Sequence, residues 1–211
     1  MRICKTEKFW ISSYLLLLIF FIAGYAFAED SLKVENKYIE MSKGNDNAPV
    51  VFVEYASLTC PACAAFHINI YPQLEEEYIE TGKVKFIHRE IYFDKAGVWA
   101  ALTARCSNVV NRYFGMLELL YSEQAIWSRY ESSDEIVDAL LKISAKSGIK
   151  KAEAISCLEN QEKALDLVNE FRIYVDKDAI ESTPTFIING KKYLNRSYDE
   201  LKKIIDKELG N

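Results

Sequence analysis

Apolar and polar positions divide the chain into three unlike stretches. From Val50 to Ala56 the residues are mostly apolar and β-branched or aromatic, and Glu54 is the one charge among them. Such a short apolar run reads as a buried strand. The stretch before it, Ser31 to Asn47, is polar and loop-like, apart from a short strand expected at Lys37-Tyr38-Ile39-Glu40. After it, Pro61 suits a first helical position, where its missing N–H has no partner to lose. The pattern predicts a helix from Pro61 to Glu80, kinked at Pro72 and stopped by Thr81-Gly82, then a second strand from Lys83 to Glu90. A connection of that length permits parallel strands.

The middle stretch, residues 95–181, changes period. Helices are expected over Ala96–Ser107, Arg112–Glu123, Ser132–Lys146, Lys150–Glu159 and Gln161–Lys177, with Ser132 as an N-cap and with breaks at Gly148 and Asn160. The last stretch returns to strands. Thr183 to Ile188 and Lys191 to Leu194 flank Asn189-Gly190, a strong hairpin signal. Tyr198 to Leu209 closes as a helix. The element order is β–α–β, a helical block, then β–β–α.

The N-terminus modifies this picture. Arg2, Lys5 and Lys8 precede an apolar core over Leu15–Ala23, and Ala26-Phe27-Ala28 is a small-x-small site. Together they read as a secretory signal peptide cut between Ala28 and Glu29; an uncleaved membrane anchor is the alternative. Cys4 lies in the basic region, away from that site. The chain carries a net charge of −5 at pH 7, and no basic stripe stands out, so nucleic-acid binding has little support. Of five cysteines, Cys60, Cys63, Cys106 and Cys157 remain after the signal. An exported chain meets an oxidising compartment, where disulfides persist.

Cys60-Pro61-Ala62-Cys63 opens the first predicted helix. Backbone N–H groups there favour a thiolate at Cys60, and Cys63 follows one turn on, on the same face. Cys60 is thus expected to be the attacking or attacked sulfur and Cys63 the buried, resolving one. A static disulfide or two buried thiols are the plain alternatives. A zinc site built from Cys60, Cys63 and His67 lacks an evident fourth ligand, and one helix does not easily present three tetrahedral ligands. No metal is expected, and His67 reads as a helix histidine beside the core with no catalytic duty. Glu54 is costly on an apolar strand unless paired or protonated, and alternation alone leaves its side of the strand open. Pro184 can take a cis bond after Thr183 or be an ordinary trans proline at a strand start.

A Cys-x-x-Cys beside a βαβ pattern is a thioredoxin-like redox signature. With Glu54 six residues upstream, the Thr183-Pro184 step and the placement of the helical block, the chain resembles the exported DsbA-type thiol–disulfide oxidoreductases, including alphaproteobacterial forms. The resemblance implies an α/β thioredoxin fold over residues 29–94 and 182–211, with a central mixed sheet and an inserted helical domain at 95–181. It also implies a redox-active Cys60–Cys63 pair, Glu54 as a buried proton relay to Cys63, and a cis-proline loop at Thr183 and Pro184 that binds substrate. Cys106 and Cys157 are expected to pair as a structural disulfide, worth roughly 4 kcal/mol by loop entropy, rather than stay as two buried thiols. The implied activity introduces disulfides into cysteine-containing exported proteins in the bacterial periplasm, with a DsbB-like membrane reoxidase as electron acceptor and no dissociable cofactor. Ala62 stands where such proteins commonly carry histidine, which implies a less oxidising pair. A disulfide isomerase or reductase of the same fold, or a non-catalytic chaperone or binding module, are the other readings.

Overall fold

The computed structural model describes residues 38–107 and 109–210. The expected signal segment and its cleavage site lie outside the described residues. Among the described residues, no helix is long and apolar enough to cross a membrane.

The centre is a five-stranded mixed sheet of order β1-β3-β2-β4-β5. Its strands are β1 (Met41–Lys43), β2 (Val50–Ala56), β3 (Val84–Glu90), β4 (Thr185–Ile188) and β5 (Lys191–Leu194). β2 runs parallel to β3; the other pairs are antiparallel. β1 begins at Met41, beyond the stretch expected to be a strand. The polar groups of the preceding residues are taken by arginines instead of a ladder: Ile39 O and Tyr38 Oη accept from Arg105, and Glu40 pairs with Arg89. Gly44 ends β1 at φ +104°, where a Cβ would lie 2.5 Å from the Val84 carbonyl, so only glycine fits. The β4–β5 hairpin turns through Asn189 and Gly190, both at positive φ, as a two-residue turn between twisted strands requires.

Between β2 and β3 the expected single helix is three pieces. α1 (Pro61–Asn69) and α2 (Tyr71–Leu74) are followed by a π-helical turn, Glu75–Ile79. Pro72 has no N–H to give and its ring crowds the carbonyl four residues back, so the break falls at Ile70. Between β3 and β4 lie α3 (Lys95–Ala104), α4 (Val110–Ser122), α5 (Gln124–Trp127), α6 (Ser133–Lys146), α7 (Lys151–Leu158) and α8 (Gln161–Asp178); α9 (Tyr198–Glu208) follows β5. The short α5 is not expected from the pattern. α3 stops three residues before its expected end. Arg105 turns inward there to reach Glu90, and this leaves Cys106 in the turn after the helix. Caps anchor the starts: Asp94 accepts from Gly97 N, Ser132 from Glu135 N, and Ser197 and Glu200 form a capping box.

Alternation along β2 divides two layers. Val53 and Tyr55 face Ile87, Ile180 and the side of α8 that carries Phe171 and Val175. Val50, Phe52 and Ala56 face the larger core with Phe66, Phe86 and Phe186. By period two, Glu54 belongs to that larger core. Its register partners are His88 on β3 and Phe186 on β4, so a carboxylate and an imidazole lie side by side beneath α1.

Candidate active site

The loop leading into α1 is tied from two directions. Gln124 on α5 donates to Leu58 O at 2.8 Å and to Cys60 O at 3.0 Å. Thr59 Oγ1 donates to Asp94 Oδ2 at 3.0 Å, and the other oxygen of Asp94 caps α3. α5 and the start of α3 therefore fix where Cys60 stands.

Cys60 is the N-cap of α1, with an extended backbone, and Pro61 follows as the first helical residue. Its thiol is half-buried, whereas Cys63 is 0% exposed. Both are unpaired thiols. The Cys60 thiol is lowered to about 5: the Cys63 thiol hydrogen-bonds the thiolate, Thr183 adds a second bond, and the Cys63 and Ala62 backbone N–H groups add theirs, together outweighing burial. Cys63 is driven the other way, far above an ordinary thiol, by burial first and then by its bond to Cys60 and the Glu54 charge. One sulfur of the pair is thus a thiolate at neutral pH and the other holds its proton.

Thr183 and Pro184 are joined by a cis peptide bond. The cis step carries the Thr183 carbonyl to 3.6 Å from Cys60 Sγ, next to the start of β4. These two residues and the two cysteines therefore meet at one end of the sheet. Cys106 and Cys157 lie elsewhere, joined in a disulfide between the turn after α3 and α7, with Cα atoms 5.5 Å apart.

Glu54 is 0% exposed, on the core side of its strand rather than facing water. Its Oε2 is 2.8 Å from His67 Nε2 and 4.0 Å from His88 Nε2, and its Oε1 is buried without a hydrogen-bond partner among the described residues. Sequence reasoning passed over His88. The alternation Val84, Phe86, His88, Glu90 was the available signal, because it places two polar residues on the core face of β3. His88 is hydrogen-bonded to the Tyr113 hydroxyl at 2.6 Å and the Tyr121 hydroxyl at 3.3 Å, and burial lowers it to about 4. Tyr113 in turn donates to Glu90 at 2.9 Å, and Glu90 is paired with Arg105 at 2.6 and 2.7 Å. The zinc set considered from sequence is not what assembles here. Glu54, His67 and His88 come together instead, with ligand atoms within 4.8 Å of one another, and the Glu54–His67 contact is already a hydrogen bond.

The thiolate at Cys60 gives a direct expectation. Alkylation of the reduced protein by iodoacetamide should follow a titration with its midpoint near pH 5, while Cys63 stays unmodified across the neutral range. A midpoint near 8.5, the value of an ordinary thiol, would remove the proposed activation.

Three comparisons bear on this site. Residues 35–207 match the family model described as Thioredoxin. Disulfide bond formation protein D of Bacillus subtilis is 32% identical, over 79% of this chain and 75% of its own length. A Rickettsia prowazekii protein named as a protein-disulfide oxidoreductase is 31% identical over 81% of this chain. The chain spans about three fifths of the length of that protein and of its R. typhi counterpart, at 61% and 64%. Among solved structures, Wolbachia pipientis alpha-DsbA1 superposes with a TM-score of 0.76 at 30% identity, covering 81% of this chain and 91% of that one. BdbD of B. subtilis gives 0.72 at 27% identity, covering 82% and 94%.

Proposed function

This chain belongs to the thioredoxin family, and from that premise we propose that it is a protein thiol–disulfide oxidoreductase that introduces disulfides into exported proteins. One observation carries the reading: two adjacent thiols at a helix start are shifted in opposite directions, Cys60 down to about 5 and Cys63 upward. That asymmetry orders the reaction. A substrate thiolate attacks Cys60 Sγ of the disulfide form. The Cys60–Cys63 bond breaks, and Cys63 leaves with the electron pair and takes a proton relayed by Glu54. A second substrate thiolate then attacks the substrate sulfur of the mixed disulfide. Cys60 leaves as a thiolate, and a thiol of low pKa leaves readily. The substrate loses two electrons and the enzyme gains them.

The Thr183 carbonyl beside Cys60 suits an acceptor for the extended backbone of a substrate segment, in the manner of strand addition. No dissociable cofactor enters, since the dithiol is the redox centre. We place the protein in the bacterial periplasm after signal cleavage near Ala28/Glu29, with a DsbB-like membrane protein as reoxidant. Residues 95–181 act as an inserted helical domain whose Gln124 holds the reactive loop, with Asp94 at the junction bonded to Thr59. The names of the relatives support an oxidoreductase; the direction of catalysis rests on the pair itself.

Oxidation of reduced ribonuclease by the oxidised protein, against reactivation of scrambled ribonuclease by the reduced protein, tests the direction. Faster oxidation is expected, and a protein active only on the scrambled substrate would make it an isomerase. Ala62→His should make the Cys60–Cys63 couple more oxidising when equilibrated with glutathione, because a histidine in the motif favours the Cys60 thiolate and so the reduced form. An unchanged or more reducing potential would contradict this.

A further inference from the structure

The relay just described leaves one proton unaccounted for. Glu54 and Cys63 are both 0% exposed, so a proton that Glu54 gives to the leaving Cys63 thiolate must be replaced through protein groups. Two imidazoles adjoin Glu54, and they lead in different directions. His88 is fully buried, sits 4.0 Å from Glu54, and has both ring nitrogens engaged by Tyr113 and Tyr121. Beyond Tyr113 lies the Glu90–Arg105 ion pair, so this branch ends inside the core. His67 is bonded to Glu54 Oε2 at 2.8 Å, its side chain is 6% exposed, and it lines a cavity of about 630 Å³. The charged groups facing that cavity are Lys43, Glu75 and Glu118. Tyr121 stacks on the His67 ring at 4.2 Å and 14°, and Tyr71 at 5.1 Å and 30°, which fixes the plane of the ring. His67 also follows Cys63 by four residues on α1, so both side chains point toward the sheet.

Resting on the oxidoreductase reading above, we propose that His67 is the proton conduit between Glu54 and the solvent of this cavity. In the half-reaction that oxidises substrate, the Cys60–Cys63 bond breaks and the substrate–Cys60 bond forms. Cys63 leaves as a thiolate and takes a proton handed over by Glu54. Glu54 draws a replacement proton from His67 through their hydrogen bond, and His67 regains one from the solvent of the cavity. Reoxidation of the dithiol runs the same path outward. The uncommitted Oε1 of Glu54 leaves one oxygen for the thiol while the other stays bonded to His67.

The test is single-turnover oxidation of a reduced dithiol peptide by the preoxidised protein, compared with His67→Ala and His67→Gln. Both variants should be slowed about 10-fold to 100-fold, at or below the lower end of what acid–base groups contribute, because His67 acts through Glu54. The Cys60 alkylation midpoint should stay where it is. Added imidazole should restore His67→Ala through the vacated space and leave His67→Gln, where the new side chain fills it, unchanged. Rescue that rises with imidazole and saturates is a readout that a purely structural histidine would not produce. Rates within twofold of the parent in both variants overturn the proposal. So does a slowed, folded His67→Ala that imidazole does not rescue. A parent protein that leaves the peptide reduced overturns the oxidoreductase reading itself, an outcome visible before any variant is made.

Discussion

Cys60→Ser should abolish disulfide transfer, with a loss of at least about 10³-fold in the oxidation of reduced ribonuclease, because the group that forms the covalent intermediate is gone. A serine hydroxyl at the same helix start has neither the acidity nor the sulfur chemistry to form a mixed disulfide. The fold should survive, since the half-buried Cys60 side chain contributes little packing and serine is a good N-cap. Unfolding midpoints within a few degrees of the parent's reduced form would establish that. Cys63→Ala separates the two roles further. Cys60 remains and still attacks a substrate disulfide, but the enzyme's own resolving thiol is gone and only a further substrate thiol can release it, so mixed disulfides accumulate and can be trapped on non-reducing gels. The same variant removes the foremost cause of the low Cys60 value, the hydrogen bond from Cys63. Its alkylation midpoint should therefore rise from about 5 toward that of an ordinary thiol. A Cys60→Ser protein that still oxidises ribonuclease would show that the redox centre lies elsewhere.

Much of this site can be read from the sequence, and what escaped has a common cause. The reactive pair is a local matter: a proline after Cys60 starts a helix, and helix geometry places Cys63 one turn on. The hairpin is local too, because Asn189-Gly190 supplies the positive φ values that the turn needs. The family resemblance added what spacing alone left open, the side on which Glu54 lies, and the oxidising compartment implied by the signal segment pointed to the joining of Cys106 to Cys157. Glu54 could not be placed from β2 itself, because nearly every neighbour is apolar and the strand is buried on both faces. Its side is decided by β3, whose His88 stands opposite it in register. The errors in helix ends share that origin. α3 stops early because Arg105 reaches across to Glu90, 15 residues back on β3, a pairing that helical periodicity does not report. α5 forms where Gln124 is held by carbonyls of the active-site loop. The end of α3 and the existence of α5 depend on partners elsewhere in the fold, whereas the helix start at Cys60 and the Asn189-Gly190 hairpin are governed by their own turns.

The Glu90–Arg105 pair is the place to test that long-range layer. Arg105→Met should lower stability by about 3–5 kcal/mol, the cost of leaving one member of a buried ion pair unmatched. For a protein of this size that is a fall in Tm of roughly 6–20 °C. The guanidinium donates twice to Glu90, once to Ile39 O and once to Tyr38 Oη, so the variant also loosens the segment that leads into β1. Replacing Glu90 by leucine as well should recover part of the loss, since an apolar pair of similar volume can stand in for a buried ion pair. The pH dependence carries the sign. Burial alone would raise the Glu90 carboxyl, but the Arg105 charge outweighs it and the group is lowered. A lowered carboxyl stabilises the fold above the ordinary carboxylate range, and that contribution is lost as the pH falls through the folded value. Without Arg105, burial prevails and Glu90 is raised, so acid neutralises the stranded charge and relieves the variant. The stability gap between parent and Arg105→Met should therefore be widest near pH 7 and narrow steadily toward pH 4, measured by urea unfolding at each pH. A gap that holds constant over that range would mean that Arg105 acts through packing of its stem, and that the charge of Glu90 is balanced by the Tyr113 hydroxyl alone.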